Sequence, residues 1–218
     1  MPPVDECQIW LFDFDGTLVD SEAVIMASFR HATGEILGYV PPDEILRAGI
    51  GMTLEQQARD LAGDRWRELY DAYILHNRPS HADLLRRFDG VPAMLARLRS
   101  RGARLGIVTS KMRESLELGL RCARLDAGWF EVIVAKEDTT SHKPDPGPLL
   151  HALALLGAGP ARAVYVGDSP YDLRAARAAG MVAAAAMWGG IFPREQLMAE
   201  QPALVFESPA DVAAEAAA

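Results

Sequence analysis

The sequence predicts an α/β protein: a parallel sheet core carrying an inserted all-helical cap. Three observations lead there. The first is a short apolar run rich in Ile, Trp and Phe, "CQIWLFDF", which has the character of a buried strand. Next, from about Ser21 to Phe88, only helical patterns are found, with no convincing strand. After "DGVP" the character changes again. Short apolar strands then alternate with helices of about 10–15 residues, the signature of a parallel sheet. We place the core at residues 1–18 and 88–218 and the helical cap at 19–87. A length of 218 residues, half of them hydrophobic, suits a core domain with a smaller insert.

Each element has a local reason. "SEAVIMASFRHATGEILG" has helical spacing, with Ser21 placed as N-cap and Gly38 as the stop. "PPDEILRA", "TLEQQARDLAG" and "DRWRELYDAYILHNR" follow as helices separated by Pro or Gly. In the second half, "VPAMLARLRSRG", "KMRESLELGLRCARL", "GPLLHALALLG" and "SPYDLRAARAAG" read as helices. Between them "ARLGIVTS", "FEVIVA", "ARAVYVGD" and the weaker "MVAAAAMW" read as strands. The Ala-rich "DVAAEAAA" reads as a last, frayed helix. An insert placed directly after the first strand sits over that strand's carboxyl end. Open α/β sheets bind ligands at that edge.

Composition excludes several classes. The net charge is −8, and no basic run or aromatic-basic interleaving marks a nucleic-acid surface. No apolar run reaches the roughly 18–20 residues that span a bilayer. "MPPVDECQIW" lacks the basic and long apolar segments of a secretory signal, so a cytoplasmic protein is expected. Cys7 and Cys122 form no CxxC and no Cys/His cluster, which argues against a zinc site or a disulfide framework. Lys111, Lys136 and Lys143 are the only lysines among 22 basic residues, so each lysine's position carries information.

Polar residues gather at the predicted strand ends. Asp13 and Asp15, at i and i+2 of an extended segment, face one side. Gly16 permits a sharp turn, and Thr17 can bond locally or start a helix. An Asp-Gly turn would account for these four without any function. "LGIVTS" ends in Thr109 and Ser110, which a helix cap explains equally well. Lys143 lies in the Pro-rich loop "SHKPDPGP", where a lysine is ordinarily solvated but where prolines would hold its ammonium in one place. In "VYVGDSPYD", Ser169, Pro170 and Asp172 fit a capping box, which leaves Asp168 unexplained. Three acids, a hydroxyl and a lysine thus converge on one edge of a parallel sheet.

That set suits phosphoryl transfer. A carboxylate attacks phosphorus and divides a hard hydrolysis into two easier steps. Repulsion between carboxylate and phosphate is about 4 kcal/mol at 4 Å for an effective dielectric near 20, so cations must offset it. Asp13 and Asp168 are hard oxygen ligands suited to Mg²⁺. Lys143 adds positive charge, Thr109 a hydrogen bond, and the amides after Asp15 a phosphate cradle. Asp15 is left for proton transfer.

"DFDGT", the Thr of "IVTSK", the Lys of "HKPDP" and "GDSPYD" resemble, in order, the four motifs of the haloacid dehalogenase superfamily of phosphohydrolases. The resemblance spans the whole core and implies a Rossmann-like sheet with a C1-type helical cap. It implies Asp13 as nucleophile, Asp15 as acid/base, and Thr109 and Lys143 as phosphate ligands, with Gly16, Thr17 and Ser110 beside them. It also implies a Mg²⁺ site of Asp13, the Asp15 carbonyl and Asp168, supported by Asp172 through water or Lys143. Asp15 separates the chain from the dehalogenases, which lack that second acid. A cap without lysine separates it from the phosphonate-cleaving members. Ile25 stands where sugar phosphomutases carry a histidine, and His31 is expected on the cap surface or the site rim. "GIVTSK" and "SHKPDPGPLL" look most like phosphoglycolate phosphatases and related pyrophosphatases.

A small anionic phosphate is therefore the expected partner, with 2-phosphoglycolate first and inorganic pyrophosphate second. A second anionic group on such a substrate calls for cations, and the lysine-free cap offers Arg30, Arg47, Arg59 and Arg78, although a solvated helix face explains each of them as well. A phospho-accepting receiver domain is the competing non-enzyme. It lacks a second Asp at +2 and a helical insert, and its acceptor ends a later strand. A degenerate binding protein would be expected to have lost one of Asp13, Asp15, Lys143 or Asp168, and all are present. Oligomeric state is not legible.

Overall fold

The computed structural model describes residues 8–215. Its centre is β1 (Ile9–Phe12), flanked by β4 (Arg104–Val108) and β6 (Ala163–Gly167). The sheet continues outward to β5 (Val132–Val134) on one side, and to β7 (Val182–Ala186) and β8 (Leu204–Phe206) on the other, in the order β5-β4-β1-β6-β7-β8. Every pairing in it is parallel. Alternation along β1 feeds two cores. Trp10 and Phe12 join one apolar cluster, and Ile9 and Leu11 join another on the opposite face. Helices cover both faces, as buried parallel strands require. They are α5 (Val91–Ser100), α6 (Arg113–Ala123), α7 (Gly147–Leu155), α8 (Pro170–Ala178), α9 (Arg194–Ala199) and α10 (Pro209–Glu215).

The insert holds α1 (Glu22–Leu37), α2 (Asp43–Ala48), α3 (Leu54–Ala62) and α4 (Trp66–Leu84). It is entered and left through two short antiparallel strands, β2 (Val19–Asp20) and β3 (Arg86–Arg87). β3 was not legible in the sequence, because two exposed arginines carry no apolar alternation. Gly38 ends α1 with φ near +76°. Ser21 does not cap α1: its side chain bonds no helix amide, and its Oγ is buried without a partner. α4 runs through Pro79 rather than stopping before it. Leu75, whose carbonyl loses its amide partner to the proline, is strongly exposed, so water can serve it. α9 and β8 were not foreseen, since "PREQLMAEQPALVF" is short-ranged and interrupted by prolines. The last helix was foreseen and is described as far as Glu215; the three alanines that follow in the sequence, and Cys7, lie outside the described residues. Among the described residues no helix is long and apolar enough to cross a membrane.

Candidate active site

The central strands deliver their successors to one edge. Asp13 follows β1, Thr109 follows β4 and Asp168 follows β6. Asp13 is buried, and its Oδ1 accepts the Phe14 amide at 2.7 Å. Its Oδ2 lies 3.0 Å from Lys143 Nζ. Phe14 points the opposite way into the core, where it packs against α6 so closely that a Cβ on Gly119 would lie 2.7 Å from its ring.

The chain then turns tightly. The Phe14 carbonyl accepts the amides of Leu18 at 2.9 Å and Val19 at 3.1 Å, and Gly16 N donates to Val19 O at 2.8 Å. Gly16 has φ +74°, and a Cβ there would lie 1.9 Å from Asp168 Oδ2. Only glycine fits that conformation beside that carboxylate. Thr17 is fully buried; its Oγ1 donates to Asp168 Oδ1 at 3.3 Å, and its carbonyl accepts Trp188 Nε1–H at 2.9 Å. In this structure the turn's own hydrogen bonds take up the Gly16 and Thr17 amides and neither residue lines the pocket; Thr17 bonds Asp168, and Gly16 leaves room for it.

Lys143 is held from three sides. Its Nζ lies 2.6 Å from Asp172 Oδ1 and 3.1 Å from Tyr165 Oη, besides the Asp13 contact. Tyr165 Oη donates in turn to Val108 O at 2.7 Å. Asp172 Oδ2 accepts the Ser169 amide at 3.0 Å, closing the capping box that starts α8. Both Asp172 oxygens are thus engaged, so Asp172 supports the site through Lys143. Tyr165 was not singled out from the sequence; a tyrosine inside an otherwise apolar strand was the available signal.

Three carboxylates here face one ammonium. Burial pushes the Asp13 carboxyl up to about 7, with Asp172 and Asp15 adding and Lys143 opposing. Burial likewise raises Asp168 well above the usual carboxylate range, with Asp172 and Asp13 reinforcing it. Burial works against the Lys143 ammonium, but Asp13 and Asp172 outweigh it and keep it charged. One oxygen from each of Asp13, Asp168 and Asp172 lies within 4.8 Å of the others. This buried all-oxygen set, short of positive charge, fits a small hard divalent cation.

A pocket opens between this edge and the insert. Asp13, Asp15, Thr109, Ser110 and Asp168 line its core side. Ser110 Oγ is out of contact with solvent and has no hydrogen-bond partner among the described residues, a donor in need of an acceptor. Ile25, Phe29, Ile50, Met52, Leu54 and Tyr73 give the insert side an apolar wall, joined by the amides Gln57 and Asn77. Ile25 occupies the pocket with no imidazole beside it, and His31 is on the surface, paired with Glu35 at 3.2 Å.

None of the four candidate arginines Arg30, Arg47, Arg59 and Arg78 lines the pocket. Arg30 pairs with Asp43, Arg47 with Glu22, Arg59 with Glu55 and Arg78 with Glu114, all at the surface. The cation present is Lys111, which the sequence singled out only by its rarity. Its Nζ lies 2.9 and 3.1 Å from the two Asp15 carboxylate oxygens.

Comparison with known proteins agrees with this geometry. Residues 10–186 match the model of the haloacid dehalogenase-like hydrolase family. A protein of Caldanaerobacter subterraneus, provisionally named pyrophosphatase PpaX, is 38% identical over 88% of this chain and 86% of its own. The pyrophosphatase PpaX of Bacillus pumilus is 35% identical over 94% of each chain. A crystal structure from Lactobacillus plantarum, provisionally named a phosphoglycolate phosphatase, superposes with a TM-score of 0.85 at 29% identity, covering 96% of this chain and 99% of that one. The chain belongs to the haloacid dehalogenase-like hydrolase family and is a phosphatase-type hydrolase.

Proposed function

We propose that the protein is a Mg²⁺-dependent phosphatase acting through an aspartyl-phosphate on Asp13, with residues 19–87 as a cap over a core of 1–18 and 88–218. The observation that carries this reading is the setting of Asp13. Its carboxylate ends the central strand, is fixed by Phe14 N and Lys143, and opens onto the pocket.

Asp13, Asp168 and the Asp15 carbonyl would hold the cation. Bound there, it supplies the positive charge that lets a carboxylate approach a phosphate. Asp13 attacks phosphorus, and the leaving oxygen departs on the pocket side. The hydroxyls of Thr109 and Ser110 meet the phosphoryl oxygens as charge builds on them, and Lys143 adds its positive charge from beneath Asp13. Asp15 protonates the leaving oxygen and then takes a proton from the water that hydrolyses the acyl phosphate on Asp13.

The substrate class is a small phosphate with a second anionic group. The "GIVTSK" and "SHKPDPGPLL" segments put 2-phosphoglycolate first. The pyrophosphatase name of relatives matching at 35–38% identity supports moving inorganic pyrophosphate to the head of the panel. Phosphate release from both, with Mg²⁺, with EDTA and with Ca²⁺, tests the proposal. Activity that EDTA abolishes, Mg²⁺ restores and Ca²⁺ inhibits is expected, since Ca²⁺ prefers longer and looser coordination. Full activity in EDTA would refute the metal-dependent part.

A further inference from the structure

We infer that Lys111 is the specificity-determining residue of this pocket, the receptor for an anionic group, carboxylate or phosphate, on the leaving side of the substrate. The inference deepens the phosphatase reading and rests on it.

Four observations converge. First, Lys111 is the one basic residue that lines the pocket among the described residues. Lys143 lies beneath Asp13, with its side chain 1% exposed and its ammonium already shared by Asp13, Asp172 and Tyr165. Second, the insert side contributes no charge at all, only apolar side chains, Gln57 and Asn77. An anion brought against such a wall loses water and meets no opposite charge there, so a cation on the core side must meet it. Third, the Lys111 ammonium is placed where the leaving group departs. Its Nζ is bonded to both oxygens of Asp15, the group assigned to protonate the leaving oxygen. A carboxylate one carbon away from that oxygen, or a phosphate directly on it, therefore falls within reach of the same ammonium. Fourth, the Lys111 side chain is shielded from solvent in advance. It is 9% exposed, Asp15 is 16% exposed, and the Phe14 ring lies 5.9 Å beneath the ammonium.

The Asp15 pair explains how the site waits. Without substrate, Asp15 supplies the counter-charge, so neither group is buried alone. Lys carries a compact charge with three donors on a flexible stem, so one ammonium can keep a bond to Asp15 while turning another donor to the incoming anion. The Arg-rich composition makes this choice stand out, because arginine fills 19 of the 22 basic positions and this one is lysine.

The test compares 2-phosphoglycolate, inorganic pyrophosphate and the neutral-tailed propyl phosphate on the wild type, Lys111→Met and Lys111→Arg. Lys111→Met should raise KM for the anionic-tailed substrate about 10–100-fold, the loss expected for a charge-assisted hydrogen bond, and move KM for propyl phosphate less than about threefold. Lys111→Arg should recover much of the discrimination. Which of pyrophosphate and 2-phosphoglycolate shows the larger KM effect identifies the anion. A uniform fall in kcat on all three, with KM unmoved, would show that Lys111 only orients Asp15 and would overturn the inference. Should Lys111→Met fail to fold, inhibition of the wild type decides. Phosphonoacetate should inhibit about tenfold more tightly than propylphosphonate, and equal inhibition would refute the role. Wild-type protein that releases no phosphate from any of the three refutes the functional reading itself. Active wild-type protein indifferent to tail charge refutes only the part given to Lys111.

Discussion

Lys143→Met takes one ammonium from two buried carboxylates and a buried phenol. The substitution keeps an unbranched chain of similar size, so the lost charge is the main change. Nζ lies 3.0 Å from Asp13 and 2.6 Å from Asp172, and its side chain is 1% exposed. At an effective dielectric near 20, the gross attraction to the Asp13 charge is about 5–6 kcal/mol. Removing the ammonium also removes its own desolvation cost, which offsets part of this. Broken buried pairs lose about 3–5 kcal/mol because the partner charge stays behind uncompensated. Here that partner is a cluster, since Asp168 stands beside Asp13 and Asp172. For a chain of this size each kcal/mol moves Tm by about 2–4 °C, so a fall of about 10 °C is expected in metal-free protein. Thermal unfolding followed by far-ultraviolet circular dichroism, in EDTA, measures it. Mg²⁺ should recover part of the loss in Tm and none of the lost turnover. A Tm within about 2 °C of wild type would refute the claim that Lys143 neutralises the cluster.

Two further substitutions probe the same edge. Gly16→Ala would place a methyl group 1.9 Å from Asp168 Oδ2 at φ +74°, so Mg²⁺ affinity, read by thermal shift, should weaken about 10–100-fold; unchanged affinity would mean that Asp168 does not hold the metal. Asp15→Asn should slow the phosphorylation step for alkyl phosphates about 10²–10⁴-fold and for p-nitrophenyl phosphate much less, because a good leaving group needs little protonation; equal losses on both with no build-up of phosphoenzyme would count against proton transfer by Asp15.

The fold was legible because its signals are local and periodic. The run from Ile9 to Phe12 is apolar at every position, and strands and helices alternate cleanly from Val91 onward. Elements without such periodicity escaped, namely β3 with its two arginines and β8 behind its proline. In the site, the motif residues were legible as types at strand ends. The partners that hold them were not. Thr17 bonds Asp168 across 151 positions and Lys111 meets Asp15 across 96, and no local pattern carries such separations. For two of the insert arginines, favoured in the sequence as solvated helix faces, the partner is likewise remote. Their acids, Asp43 for Arg30 and Glu114 for Arg78, lie 13 and 36 positions away and hold them at the surface. The turn hydrogen bonds that take up the Gly16 and Thr17 amides were likewise not legible in the sequence.

The central claim is that Asp13 carries the phosphoryl group. It is tested most directly by acid-quenching the Asp15→Asn protein during turnover and locating the adduct by peptide mass spectrometry. Asp15→Asn should slow hydrolysis of the intermediate, so phosphate should be found on the peptide containing Asp13, on the Asp13 side chain, and should disappear in the Asp13→Asn, Asp15→Asn double variant. A phosphoryl group on any other residue, or continued phosphate release from the double variant at the rate of the single one, would contradict the account.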